Sequence, residues 1–226
     1  HSGRDYSDDF LKSSVLDGRT IRSSEDAHVD QLIDFIPEMG APLLLAKAPR
    51  AYVDMNRAAD ELDPALINEV QSRAQNPRIT SGLGVIPRVV SNARAIYRGK
   101  LSKQDALARI DQYWTPYHKA LQRLLARAHG RFGYSLLMDM HSMPHDAVAH
   151  LGNSNKRIEV VLGDRYGSSA DIALGDLIQK AFEIKGFRVS RNVPFAGAYV
   201  TQHYGQPGQS KHVVQVEIDR TLYLDE

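Results

Sequence analysis

The apolar positions of this chain fall into two periods. Val29, Leu32, Ile33 and Ile36 recur at helical spacing and stop at Pro37. The start signal for that helix is Ser23-Ser24-Glu25-Asp26, where Ser23 and Asp26 stand at capping-box spacing with Asp in place of the usual Glu or Gln. Residues 43–46, between Pro42 and Pro49, and residues 51–55 read as short strands that hand Arg50, Asn56 and Arg57 to loop positions. Pro64 opens a helix, and Ser81-Gly82-Leu83-Gly84 reads as a flexible loop suited to a lid or a substrate contact. A long helical region spans 102–129 with Gly130 placed to end it, and Thr115-Pro116 should restart or kink it. Further on, 158–162 reads as a strand. Leu174, Leu177, Ile178, Ala181 and Phe182 then make a helical stripe closed by Gly186, and 187–189 and 213–218 are the remaining strands. Strands alternating with helices predict a single three-layer α/β domain over 1–226, with a mostly parallel or mixed central sheet and helices on both faces.

The centre of that sheet is the run from Tyr134 to Pro144, apolar until it ends in Asp139-Met140-His141-Ser142 and a proline. Open α/β sheets bind ligands at the carboxyl edge of their strands. Asp139 lies two residues before His141, so both point to the same side of the pleat. That geometry suits a metal ligand or a general base with an acidic neighbour. A strand end whose Asp and His only satisfy nearby backbone groups fits the pattern equally well.

Composition narrows what such a site can serve. The chain has 226 residues, 42% hydrophobic and 24% charged, which is enough for one substantial core. A formal net charge of +1 gives no one-signed field to draw nucleic acid or an anionic membrane surface. No apolar run approaches the roughly 18 residues of a membrane span. The absence of cysteine excludes disulfides, thiolate metal sites and cysteine nucleophiles, and agrees with a cytoplasmic location. The chain opens at His1 rather than at a methionine, so an upstream segment is expected, including a strand leading into His1.

No compact HExxH, P-loop, GxSxG or GxGxxG pattern is present, so any chemistry must be assembled from scattered positions. The polar groups at predicted element ends are His1, Asp26, Arg50, Asn56, Arg57, Asp139, His141 and Glu217. Two histidines and a carboxylate would suit a catalytic zinc site with a position left for water.

The blocks His1-Ser2-Gly3-Arg4, Glu25-Asp26-Ala27-His28-Val29-Asp30, Val53-Asp54-Met55-Asn56-Arg57, Tyr113-x-x-Pro116-Tyr117-His118, Asp139-Met140-His141-Ser142-Met143, Asn192-x-Pro194-Phe195-x-Gly197-x-Tyr199 and Gln215-Val216-Glu217-Ile218-x-Arg220-x-x-Tyr223 run through the chain in order. Together they resemble the N-formylglutamate amidohydrolase family. Two departures stand out: the family's proline before the first His is missing, and Ala198 replaces the second glycine of its Pro-Phe-x-Gly-Gly-Tyr block.

The resemblance implies a zinc-carboxypeptidase-like fold and a zinc-dependent hydrolysis of N-formyl-L-glutamate in histidine breakdown. It makes His1, an early acid and His141 the metal ligands, Arg50 the polariser of the scissile carbonyl, Asn56 and Arg57 the carboxylate clamp with Arg88 assisting, and Glu217 the general base. Arg4 stands where the carboxypeptidases place a glutamate ligand, so Asp26 is the chosen acid, with Glu25 and Asp5 as fallbacks. A zinc deacylase or carboxypeptidase for another acidic amide, or a non-catalytic metal- or carboxylate-binding protein, would keep much of this set. Each residue also has a plainer role open to it. Asp26 could be only a helix cap, and Arg57 a surface cation. Glu217, between Val216 and Ile218, is either a buried acid with a partner or an outward residue on an edge strand. His118, His145, His150 and His203 could serve as ligands, although His118, following Tyr117 in a helix, reads as a packing or surface residue.

Overall fold

The computed structural model describes residues 3–71, 76–151 and 157–225, and the chain divides into two compact units, 1–121 and 122–226. The first unit is mostly turns and short helices. Its elements are α1 (Asp8–Ser13), α2 (Val29–Leu32), α3 (Pro77–Thr80), the paired two-residue strands β1 (Val89–Val90) and β2 (Arg94–Ala95), α4 (Lys103–Arg109) and the beginning of α5 (Thr115–Phe132). Irregular backbone on this scale holds together here because the side chains converge. Ile21, Val53, Met55, Leu66, Ile67, Val85, Ile86 and Ile96 are buried in one cluster that Phe10, Tyr52 and Tyr97 extend with ring contacts.

Several expectations fail in this unit, each for a local reason. The helix predicted behind Ser23 is broken by His28 in the left-handed region (φ 57), which leaves a 3₁₀ turn at Ile21–Ser24 and only one turn of α2. Of its apolar stripe only Val29 is buried. Residues 43–46 and 51–55 form no strand; the Pro49 carbonyl instead accepts from the Tyr52 and Val53 N–H groups and makes a turn. Pro64 starts a single turn around Asp63, whose side chain takes the Ala65 N–H, rather than a helix. The 81–84 loop forms a turn, with the Gly82 carbonyl bonded to Arg88 N and a Cβ at Gly84 destined to lie 2.4 Å from the Glu61 carbonyl oxygen.

The long helix forms, but not as one regular piece. Ser102 caps α4, and residues Ile110–Trp114 make a π turn in which the Thr115 N–H reaches the Ile110 carbonyl. The irregularity falls just before Pro116, whose missing N–H and ring bulk disfavour a regular α turn there. Gly130 does not end α5. The stop is Gly133 at φ 76, three residues later.

The second unit is built on a mixed four-stranded sheet of β3 (Ser135–Met143), β4 (Val160–Gly163), β5 (Val189–Arg191) and β6 (Lys211–Asp219), in the order β3-β6-β4-β5. β3 and β6 are parallel, β6 and β4 antiparallel, and β4 and β5 parallel. Alternation sorts the two faces. Met138, Met140, Val160, Leu162, Val214, Val216 and Ile218 point to one side, where they meet Ile178 and Phe182 of α6 (Ile172–Ile184). Leu174 and Ala181 of the predicted stripe do not join that cluster, and Leu177 is exposed. Helix α7 (Tyr199–Tyr204) lies against β6. Gly163 lets the backbone at 195–197 cross the other face, since a Cβ there would come within 2.9 Å of three backbone atoms of that segment. Gly197 (φ 108) needs its missing side chain, whereas Ala198 sits at φ −117, where any residue fits; the family departure at this position costs nothing in backbone strain. Among the described residues, no helix is long and apolar enough to cross a membrane.

Candidate active site

The second face of the sheet carries polar groups where its neighbours in sequence are valines. In the parallel β3–β6 register Asp139 lies opposite Gln215 and His141 opposite Glu217, so four polar side chains form a patch on two adjacent strands. β3 is an edge strand of the described sheet rather than its centre and β6 an interior one, yet the patch on both is buried: His141 is 0% exposed and Glu217 and Asp139 are 7%. Glu217 is thus the buried acid of the two readings open to it, and Gln215 Nε2 donates to its Oε1 at 2.8 Å. The Asp139 carboxylate sits 3.1 Å from His141 Nε2. A carboxylate against one ring nitrogen is the arrangement by which an acid orients an imidazole to act as ligand or base.

One pleat step further along, Asp219 lies opposite Met143 and accepts from His145 Nδ1 at 2.6 Å. Its other oxygen takes the Thr221 N–H and hydroxyl, capping the turn that follows β6. Arg220 Nε donates to Ser142 Oγ at 3.3 Å, which ties that turn back to β3.

The first unit gathers the other expected residues around an acid that the sequence reading quoted but gave no role, Asp54. Its Oδ2 accepts from Arg50 Nε at 3.0 Å and its Oδ1 from the Asn56 N–H at 2.8 Å, while Arg57 Nη1 stands 4.0 Å away. Arg50 also reaches Asp26 at 3.4 Å, so one guanidinium joins two buried carboxylates. Asp26 is 0% exposed and is not the cap of α2, whose N-cap residue is His28 with no side-chain cap. Arg57 is buried as well, with Nε on the Leu83 carbonyl and Nη1 on its neighbour Asn56's, both at 2.8 Å. The surface-cation reading of Arg57 therefore fails, and the 81–84 turn is its backing. Trp114 Nε1 holds the Arg57 carbonyl at 2.9 Å and His118 Nε2 lies 2.9 Å from the Met55 carbonyl, which gives the Tyr113–His118 block a positioning role.

Electrostatics here follow burial against pairing. Burial pushes the Asp54 carboxyl up, but the guanidinium groups of Arg50 and Arg57 and the Asn56 N–H outweigh it and hold the pKa below the ordinary 3.8. Burial moves the Arg57 guanidinium down, opposed by Asp54, and burial raises Glu61. A carboxyl with a depressed folded pKa stabilises the fold fully above its unfolded value, and that stability is lost as pH falls through the folded value. Unfolding free energy of the wild type should therefore drop below about pH 4 partly through Asp54. In Asp54→Asn the protein should be weaker at neutral pH and its acid limb shallower, as read by denaturant titrations at a series of pH values; a parallel acid limb in the variant would rule Asp54 out as a contributor.

The remaining expected residues are placed as follows. Arg88 is engaged by Asp63 at 2.9 Å and by the Thr80 carbonyl at 3.3 Å, so it braces the loop it was expected to project from. Of the fallback acids, Glu25 is buried against Arg22 and Asp5 is exposed. Arg4, in the position of a carboxypeptidase ligand, pairs with Asp30 at 2.5 Å and lies 3.1 Å from His28. His118 is a buried packing residue with its ring tilted against Trp114, while His150 and His203 are exposed. His1 lies outside the described residues. A cavity of about 740 Å³ in the first unit, lined by Ala58, Glu61, Val70, Ile79, Leu107 and Ile110 among others, contains none of the expected site residues; only Glu61, 4.0 Å from Arg57 Nε, links it to them.

For a metal, the donor chemistry fits in part. A fully buried carboxylate and a fully buried imidazole whose Nε2 is held by an acid are donor types that zinc accepts. Among the described residues no group of three histidines or acids is gathered closely enough to hold an ion.

A buried Asp-His pair beside a glutamate on an interior strand is the equipment of a hydrolase of mixed α/β architecture. Comparison with known proteins supplies the family. The model of the N-formylglutamate amidohydrolase family matches residues 1–224. An N-formylglutamate deformylase of Pseudomonas aeruginosa is 34% identical over 89% of this chain and 71% of its own length, and one of Pseudomonas putida is 30% identical over 100% and 80%. A crystal structure of N-formylglutamate amidohydrolase from Ralstonia eutropha JMP134 superposes with a TM-score of 0.90 at 36% identity, covering 100% of this chain and 81% of that one. A gene product of Agrobacterium tumefaciens shares the fold alone, with a TM-score of 0.60 at 17% identity. The chain belongs to the N-formylglutamate amidohydrolase family.

Proposed function

We propose that the protein hydrolyses N-formyl-L-glutamate to formate and L-glutamate, with zinc as its cofactor, in the cytoplasm and as a step of histidine breakdown. The relatives' activity and the family match support the reaction; the observation that carries it here is the placement of Glu217 beside His141 on a buried sheet face, with Asp139 on the histidine. His141, Asp26 and His1 would hold the metal, which when bound supplies a Lewis acid and lowers the pKa of a bound water towards about 7. Glu217 takes a proton from the attacking water. Arg50, held by Asp54 and Asp26, presents positive charge to the oxygen of the tetrahedral intermediate. Asn56 and Arg57 bind substrate carboxylate, with Arg88 a second basic group in reach of the same loop; Nε and Nη1 of Arg57 are fixed by protein carbonyls, which orients its remaining edge for the ligand.

The direct test is formate release from N-formyl-L-glutamate by the purified protein, together with its metal content. An inactive, metal-replete protein would overturn the reading. The clamp has its own test in Arg57→Lys, because an ammonium cannot reproduce a planar fork held at two points. KM for N-formyl-L-glutamate should rise about tenfold or more, while an N-formyl amino acid without the side-chain carboxylate should be less affected. Equal losses on both substrates would make Arg57 a structural residue.

A further inference from the structure

The proposed mechanism leaves one buried acid and one half-buried histidine without a use. His145 Nδ1 and Asp219 meet at 2.6 Å, and Asp219 is nearly inaccessible while the His145 ring remains partly exposed. Asp219 is fixed independently by the Thr221 N–H and hydroxyl on its other oxygen, so the imidazole pairs with an acceptor that cannot turn away. The contact uses Nδ1, so a proton that His145 passes to a substrate would come from Nε2 while Asp219 holds the ring in place. Position matters as much. Gln215, Glu217 and Asp219 share one face of β6, so Asp219 lies about 7 Å beyond Glu217 along the strand, at the carboxyl edge of the parallel pair.

We propose that His145, oriented by Asp219, is the general acid that protonates the leaving nitrogen. This rests on the deformylase reading above. Amide cleavage needs two proton movements: one proton leaves the attacking water, and one reaches the nitrogen before the C–N bond breaks, since an unprotonated amide nitrogen is a very poor leaving group. Glu217 serves the first movement. In the second, the His145 imidazolium gives its Nε2 proton to the nitrogen, the C–N bond electrons stay with that nitrogen, and formic acid and the amine separate. The proton held by Glu217 passes to solvent as His145 is reprotonated, which closes the cycle with water as the only co-substrate. His145 is then a catalytic residue and Asp219 a positioning one.

An ester separates this role from a merely structural one, because an alkoxide leaves with far less need of protonation than an amine. The probes are N-formyl-L-glutamate and the formate ester of 2-hydroxyglutarate, assayed with metal-loaded wild type and His145→Gln. The amide kcat should fall roughly 10²-fold or more and the ester kcat less than about tenfold. In His145→Ala, added imidazole should restore part of the amide activity, since the ring it replaces is partly exposed. Equal losses on amide and ester without rescue, or amide turnover near the wild-type rate in His145→Gln, would overturn the proposal while leaving the deformylase reading intact. A wild type that releases no formate from the amide would overturn that reading, and this one with it.

Discussion

Replacing Glu217 by glutamine should lower kcat by about 10²–10⁴-fold, the usual worth of a general base, which corresponds to roughly 3–5 kcal/mol of transition-state stabilisation. Glutamine keeps the size of the side chain and the bond from Gln215 Nε2 to its Oε1 while removing the proton acceptor. An unfolding midpoint in denaturant close to that of the wild type separates this loss from a general folding defect. The comparison holds at equal metal content. A Glu217→Gln protein turning over at near the wild-type rate would transfer the role to Asp139, the other carboxylate of the patch.

His141→Ala should bind zinc far more weakly than wild type, because a two-donor site lacks the charge and geometry to retain the ion. Asp139→Asn provides the scale: disturbing the partner that orients a ligand usually costs 10–100-fold in metal affinity, as an order of magnitude, and removing the ligand itself should exceed that. Competition with a chelator measures both. If His141→Ala retains zinc as tightly as wild type, the histidine is not a ligand, and the Asp139 contact is there to satisfy a buried strand end.

How much of this was legible in the sequence depended on whether a regular period governed the segment. β3, β6 and α6 were readable because alternation or a helical stripe, followed by a Pro or Gly, left few alternatives, and the partnership of Asp139 with His141 followed from the period of two. Residues 21–70 were misread because their order comes from tertiary contacts: Asp54, Asp63 and the Pro49 carbonyl close turns that no local pattern announces. Asp54 could have been suspected, as an acid with arginines at i−4 and i+3 inside an apolar stretch. The pairing of His145 with Asp219 could not, since 74 residues separate them and only the register of β3 with β6 brings them together. The π turn at Ile110–Trp114 was foreshadowed by Pro116 as a kink, yet its form depends on an extra residue that propensity does not count.

The sorted faces of β6 carry a last consequence, for the folding of the sheet. Sliding β6 by one residue against β3 would turn Gln215, Glu217 and Asp219 into the valine side beneath α6 and bring Val214, Val216 and Ile218 onto the polar patch. Such a slip would strand two carboxylates in hydrocarbon, at a cost of several kcal/mol each in order of magnitude, whereas a strand of valines alone could shift at little penalty. The side chains assigned to chemistry therefore also act as a sprocket: they engage in one register only, so a chain that folds with its acids accommodated has, by that fact, already set its active site in line.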